Sequence, residues 1–138
     1  CPETNEWQLI TPMNRKRRNH QLLAVNGFLY AIAGTENDQD ESISSTVERY
    51  DPMKNIWENL PPMRNCHKQP IVVAHGKSIY VLSENGLEKF SKQLNTWINM
   101  PSNDTNLFNL VSFQNKLYSV PPKSITYSTK QILKLDSQ

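Results

Sequence analysis

The side chains best suited to chemistry lie in one basic run. Residues 14–19 read NRKRRN, with Arg15, Lys16, Arg17 and Arg18 in succession. Guanidinium forks match carboxylates in pairs, so the run fits an acidic peptide segment; a solvated basic loop is the plainer reading. A second polar stretch, residues 35–45, carries Glu36, Asp38, Asp40 and Glu41 and reads as a loop tip. Placed beside the basic run, it would screen those cations or compete with a ligand for them. Cys66-His67 puts a thiol next to an imidazole in sequence, which is not a nucleophile–base geometry. No second pair has zinc-ligand spacing. His20 and His75 fall in other stretches of the chain. No catalytic group, metal site or cofactor is therefore expected. Asn103-Asp104-Thr105 has the form of a glycosylation sequon, which a cytosolic chain would leave unused.

The net charge of +2 over 138 residues is too weak a signal for nucleic acid or an anionic membrane. No apolar run approaches the ~20 residues of a membrane-spanning helix. The first residues, CPETNEW, lack the basic-then-apolar layout of a secretory leader. They read instead as a repeat cut open. Cys1 and Cys66 are expected on opposite faces of the fold, without a disulfide, in agreement with a reducing, cytoplasmic setting.

The elements that must hold these residues follow from one stretch, TVERYDPMKNIWENLPPM at residues 46–63. Val47, Arg49 and Asp51 alternate with Thr46, Glu48 and Tyr50, as in a half-buried strand. Asp51-Pro52 breaks it, since proline fixes φ and has no N–H to donate. Trp57 and Leu60 carry apolar bulk into a second strand, which Pro61-Pro62 ends. The same text recurs around Trp7 and Trp97. Asparagine stands two residues before each tryptophan, at Asn5, Asn55 and Asn95. The tryptophans are spaced by 50 and then 40 residues, which signals a repeat architecture.

Each unit opens on a predicted hairpin. Asn26-Gly27 separates strands at 21–25 and 28–33, because a type I′ turn needs positive φ at both central residues. His75-Gly76 separates 71–74 from 78–82, and Gln114-Asn115 separates 107–113 from 116–120. Further strands are predicted at 87–90, 96–100 and 131–135. Tyr30 and Tyr80 each lie 23 residues after a tryptophan, and Tyr118 lies 21 after one. The fold class is all-β: about three four-stranded antiparallel blades of a propeller, forming an incomplete ring. The units are residues 1–18 (the last strand of a preceding blade and a connection), 19–63, 64–103 and a partial blade at 104–138. Trp7, Tyr30, Tyr50, Trp57, Tyr80, Phe90, Trp97 and Tyr118 are expected to fill the space between blades. The basic run, residues 64–69 and the acidic loop should share one face, with the Asn26-Gly27 turn on the other.

LYAIAG ending at Gly34, TVERYDPMKNIW ending at Trp57 and ENLPPM ending at Met63 resemble the kelch repeat of BTB–kelch adaptors. The resemblance covers essentially the whole chain and implies a six-bladed ring. It implies a protein–protein interaction module, not an enzyme, recognising substrates for a cullin ubiquitin ligase through a BTB domain outside this sequence. A structural or actin-associated kelch protein is the alternative, and a kelch-fold oxidase a remote one. Adaptors of this kind that bind acidic degrons use an arginine ten residues after the tryptophan. Arg17 fills that position; the equivalents are His67 and Leu107. The family's double glycine is Ala33-Gly34 here, then Ser83-Glu84 and Pro121-Pro122, which predicts looser later blades. A half-ring with open strand edges should aggregate when made alone, or close by joining a second copy.

Overall fold

The computed structural model describes residues 5–36, 45–67, 70–101 and 109–119, together with the backbone of 133–135. Strands β1 (Gln21–Val25), β2 (Phe28–Ile32), β3 (Val47–Asp51) and β4 (Ile56–Leu60) form an antiparallel sheet in chain order. A second meander contains β5 (Ile71–His75), β6 (Ser78–Ser83), β7 (Gly86–Ser91) and β8 (Thr96–Met100). The third sheet contains β9 (Leu110–Phe113), β10 (Lys116–Ser119) and β11 (Leu133–Leu135). Helices are absent among the described residues. The sheets stack in series, and among the described residues they do not close a ring.

The turns obey local chemistry. Asn26 and Gly27 take φ of 52° and 80°, and Gln114 and Asn115 take 46° and 57°. Both pairs therefore have the two positive φ values of a type I′ hairpin. In the second blade the turn lies one residue later than expected, at Gly76-Lys77. His75 stays in β5, paired with Ser78, and glycine supplies the single positive φ, 58°, at the first turn position. Asn5, Asn55 and Asn95 all adopt φ near 50° (54°, 54° and 47°). The recurring asparagine is thus a left-handed residue entering each tryptophan segment, a conformation asparagine tolerates better than most residues. In the first blade Asn55 Oδ1 also accepts the Tyr50 hydroxyl at 2.8 Å.

The core lies between blades. Val25, Tyr30, Ile32 and Val47 from the first blade meet Ile79, Val81, Phe90 and Trp97 from the second. Tyr80, Leu82 and Leu87 then meet Leu117 of the third. Tyr50 and Trp57 pack as a tilted cross-strand pair, their ring centroids 5.3 Å apart; Phe90 and Trp97 repeat the arrangement at 5.2 Å. β3 departs from the half-buried expectation. Four of its five residues are buried, because blade faces are covered on both sides.

Three further expectations are corrected. Trp7 is fully exposed, not core, and residues 6–10 form no strand. Its counterpart Trp57 is covered by its cross-strand partner Tyr50, and no such partner faces Trp7 among the described residues. Tyr118 is only half-buried. It shares a register position with Tyr30 and Tyr80, whose rings the following blade covers, and no blade follows the third among the described residues. The second blade is not loosened by Ser83-Glu84. β6 and β7 join through a tight turn with Gly86 at φ 107°, and all four strands are present. Cys1, Asp38, Asp40, Glu41, the sequon, Leu107 and Pro121-Pro122 lie outside the described residues.

Candidate functional site

Two straps, residues 11–20 leading into the first blade and residues 61–67 leading out of it, carry the basic residues. The first descends from Thr11 to His20. Trp57 Nε1 donates to Thr11 O at 2.9 Å, and Asn14 Nδ2 donates to Trp57 O at 3.0 Å. Asn14 N donates to Glu48 Oε2 at 2.7 Å. Arg17 then turns inward. Its Nε and Nη2 donate to Glu48 Oε1 at 3.0 and 2.9 Å, and its Nη1 donates to Ala33 O at 2.7 Å and Thr46 O at 3.1 Å. The Arg17 and Glu48 side chains are 2% and 0% exposed. Burying charge is tolerable only with a partner and good hydrogen bonds, and this pair has both.

The strap closes on the exit of β2. Arg18 N donates to Thr35 O at 2.8 Å, and Thr35 N returns to Arg18 O at 2.9 Å. Gly34 makes this approach possible. It has φ of 92°, and a Cβ there would sit 2.6 Å from Arg18 O. Close backbone approach is thus the reason for glycine at this position.

The second strap repeats the plan with different residues. Trp97 Nε1 donates to Pro61 O at 3.0 Å, and Arg64 Nε donates to Trp97 O at 3.0 Å. Glu88 accepts from Arg64 N (3.0 Å), Asn65 N (3.1 Å) and Asn65 Nδ2 (3.0 Å). His67 Nε2 donates to Glu88 Oε1 at 2.9 Å, and His67 Nδ1 meets Ser83 Oγ. Both side chains are essentially fully buried.

Arg17 and His67 are therefore corrected as ligand contacts. Each is ten residues after a tryptophan, but each is turned inward and engaged by a buried glutamate. Arg15, Lys16 and Arg18 do stand at the surface. Arg15 Nη1 meets Glu36 Oε1 at 2.7 Å, both side chains being 46% exposed. The acidic loop thus begins beside the basic run, as expected. Arg64 and the free thiol of Cys66 are exposed on the equivalent strap. At the opposite end, Asn26 Nδ2 reaches Lys77 O, which brings the hairpin turns of adjacent blades together there. Among the described residues, no three His, Cys, Asp or Glu side chains are grouped to hold a metal ion.

Glu48, Glu88, Asn14 and Arg64 were not singled out from sequence. The signal was present, since each glutamate stands nine residues before a tryptophan.

Comparison with known proteins agrees with this geometry. Residues 16–64 match the kelch motif family. The chain is 25% identical over 104 residues to Kelch-like protein 38 of Rattus norvegicus, covering 70% of this chain and 18% of that protein. It is 28% identical over 130 residues to Kelch-like protein 26 of Danio rerio, covering 86% of this chain and 21% of that protein. Kelch-like protein 23 of Homo sapiens is 36% identical over 69 residues, 48% of this chain and 12% of that protein. The chain thus spans about a fifth or less of these relatives' lengths. The stacked antiparallel blades, the tryptophan-anchored straps and these matches support a kelch-repeat domain similar to those of kelch-like proteins, with the kelch motif itself matched over residues 16–64.

Proposed function

We propose that this domain binds an acidic segment of a protein partner on the face that carries the two straps. The supporting observation is the row of exposed cations Lys16, Arg18 and Arg64, with half-exposed Arg15 beside them. Arg17, Asn14 and the Arg64 backbone are pinned from below, so the row stands on a rigid base. Loops held by rigid strands are where such scaffolds place recognition. An acidic ligand competes with Glu36 for Arg15. Arg17 and His67 act as anchors beneath the surface and not as contacts. The domain acts by binding, without catalysis. In a complete cytoplasmic protein with a BTB domain, the captured partner would be delivered to a cullin ubiquitin ligase.

The test is titration of a fluorescent Asp/Glu-rich peptide into the chain, beside a matched Asn/Gln peptide. The acidic peptide should bind selectively, and the double change Lys16→Glu, Arg18→Glu should weaken it about tenfold or more. Equal binding of both peptides, or no effect of the charge reversal, refutes the reading. Recovery of a cullin with the full-length protein, lost when its BTB region is removed, tests the ligase role.

A further inference from the structure

One hydroxyl on the strap face lies among the cations. Thr35 stands opposite Arg18 in an isolated antiparallel bridge. Arg18 N donates to Thr35 O at 2.8 Å, and Thr35 N donates to Arg18 O at 2.9 Å. Residues that exchange both bonds form a hydrogen-bonded pair, with Cα atoms about 5.5 Å apart and side chains on the same side. Arg18 is exposed and Thr35 is half-buried, so that shared side opens to solvent. The alternate residues turn the other way. Arg17 is buried on Glu48, and a Cβ on Gly34 would meet His20. One residue further on, Glu36 Oε1 holds Arg15 Nη1 at 2.7 Å. An anion carried by residue 35 thus has one guanidinium across the bridge and a second beside the next residue.

The sequence after this hydroxyl adds an independent observation. Thr35 is followed by Glu36, Asp38, Asp40 and Glu41. An enzyme that acts on a hydroxyl in such surroundings must recognise the carboxylates with basic side chains, as an acid-directed serine/threonine kinase does. The other hydroxyls of this connection lack the pattern. Ser42 and Ser44 have no carboxylate in the three residues that follow them. The one that follows Ser45 and Thr46 at this range is Glu48, which is buried on Arg17.

We propose that Thr35 is a phosphorylation site for an acid-directed protein kinase, and that its phosphate engages Arg18 and withdraws it from acidic ligands. The second part rests on the acidic-ligand reading of the strap face. In the transfer, Thr35 Oγ1 bonds to the terminal phosphorus of ATP, the bridging P–O bond breaks and ADP leaves. The hydroxyl proton passes to the base of the kinase. The product carries a charge of about −1.5 to −2 and three strong acceptor oxygens. Set across the bridge from Arg18, it takes the paired guanidinium contact that a carboxylate of the partner would make. Its charge also repels an incoming acidic segment. The bridge itself survives, since both of its bonds are between backbone atoms.

The test treats the full-length protein with a constitutively active acid-directed serine/threonine kinase and ATP, and maps the phosphate by mass spectrometry. Phosphate should appear at residue 35 and be absent from the near-isosteric Thr35→Val protein. Phosphorylation should weaken binding of the Asp/Glu-rich peptide about tenfold or more. A non-specific phosphatase should remove the phosphate about tenfold faster from the Arg18→Ala protein, in which the backbone bridge remains but the guanidinium does not. No incorporation at Thr35, equal removal with and without the Arg18 side chain, or unchanged peptide binding after phosphorylation overturns the proposal. Failure of the peptide to bind the unphosphorylated protein refutes the acidic-ligand reading instead. Protection of the phosphate by Arg18 then still supports the site.

Discussion

Arg17→Ala tests how the first strap is held. The guanidinium donates twice to Glu48 and once each to the Ala33 and Thr46 carbonyls, at 2.7 to 3.1 Å. Truncation leaves the Glu48 carboxylate buried, with Asn14 N at 2.7 Å as its remaining donor in this cluster. Removing one partner of a buried ion pair destabilises by about 3–5 kcal/mol. The upper end applies here. Ala33 O loses its donor as well, and an unsatisfied buried acceptor costs about 1–3 kcal/mol. Thr46 O is less affected, because Ala33 N still donates to it at 3.1 Å. Against a total stability of about 5–15 kcal/mol, the change removes a third or more. With a urea slope of about 1–3 kcal/mol/M, the unfolding midpoint should fall by more than about 1 M. Lys16→Ala, one residue away and exposed, should stay within about 0.5 kcal/mol of wild type. Arg17→Lys should fall between them. It keeps the charge but has no planar fork to serve Glu48 and two carbonyls together. If Arg17→Ala leaves the midpoint unchanged while abolishing peptide binding, Arg17 is a contact residue and the anchoring argument fails.

Two further outcomes follow from the same geometry. Gly34→Ala should destabilise by well over about 1 kcal/mol in thermal unfolding, since it combines a φ of 92° with a clash 2.6 Å from Arg18 O; an unchanged melting temperature would show that the strap can move aside. Trp97→Ala should cost about 3–5 kcal/mol, because the side chain is 1% exposed and its Nε1 holds Pro61 O, whereas Trp7→Ala should leave the unfolding of the chain within about 0.5 kcal/mol of wild type. Equal effects of the two tryptophan changes would mean that Trp7 is packed in solution.

The blades were legible because their signals are local. Asn26-Gly27 fixes a hairpin by turn chemistry alone, and β8 falls at the predicted residues 96–100. The repeat spacing of Trp57 and Trp97 likewise reflects an identical role for each, a ring against a cross-strand aromatic and an Nε1 on the preceding strap. Trp7 shares the spacing but not the burial, since burial depends on a neighbour that periodicity cannot supply. The direction of Arg17 was also not legible. Its neighbours Arg15, Lys16 and Arg18 have the same charge, and what separates it from them lies far along the chain, in the Glu48 carboxylate and the Ala33 and Thr46 carbonyls.

That carboxylate suggests how such positions should be read within a repeat. The residue ten after one tryptophan meets the residue nine before the next, and the two change together. They are Arg17 with Glu48 in the first unit, and His67 with Glu88 in the second. In the third unit the sequence has Leu107 at the first position. Register places Leu133 at the second, since Ser119 pairs with Leu133 as Ala31 pairs with Glu48. The two polar pairs fit the physics of burial. A lone buried glutamate is strongly disfavoured, whereas a matched pair or its complete apolar replacement is tolerated. A basic residue at this position is therefore read first as half of an internal pair. It becomes a candidate ligand contact where the position nine before the next tryptophan carries no carboxylate. Exchanging Glu48 for leucine should accordingly destabilise this domain by stranding Arg17. It should also free that guanidinium toward the strap face, and the measured gain or loss of acidic-peptide binding in the Glu48→Leu chain decides whether the anchor can be turned into a contact.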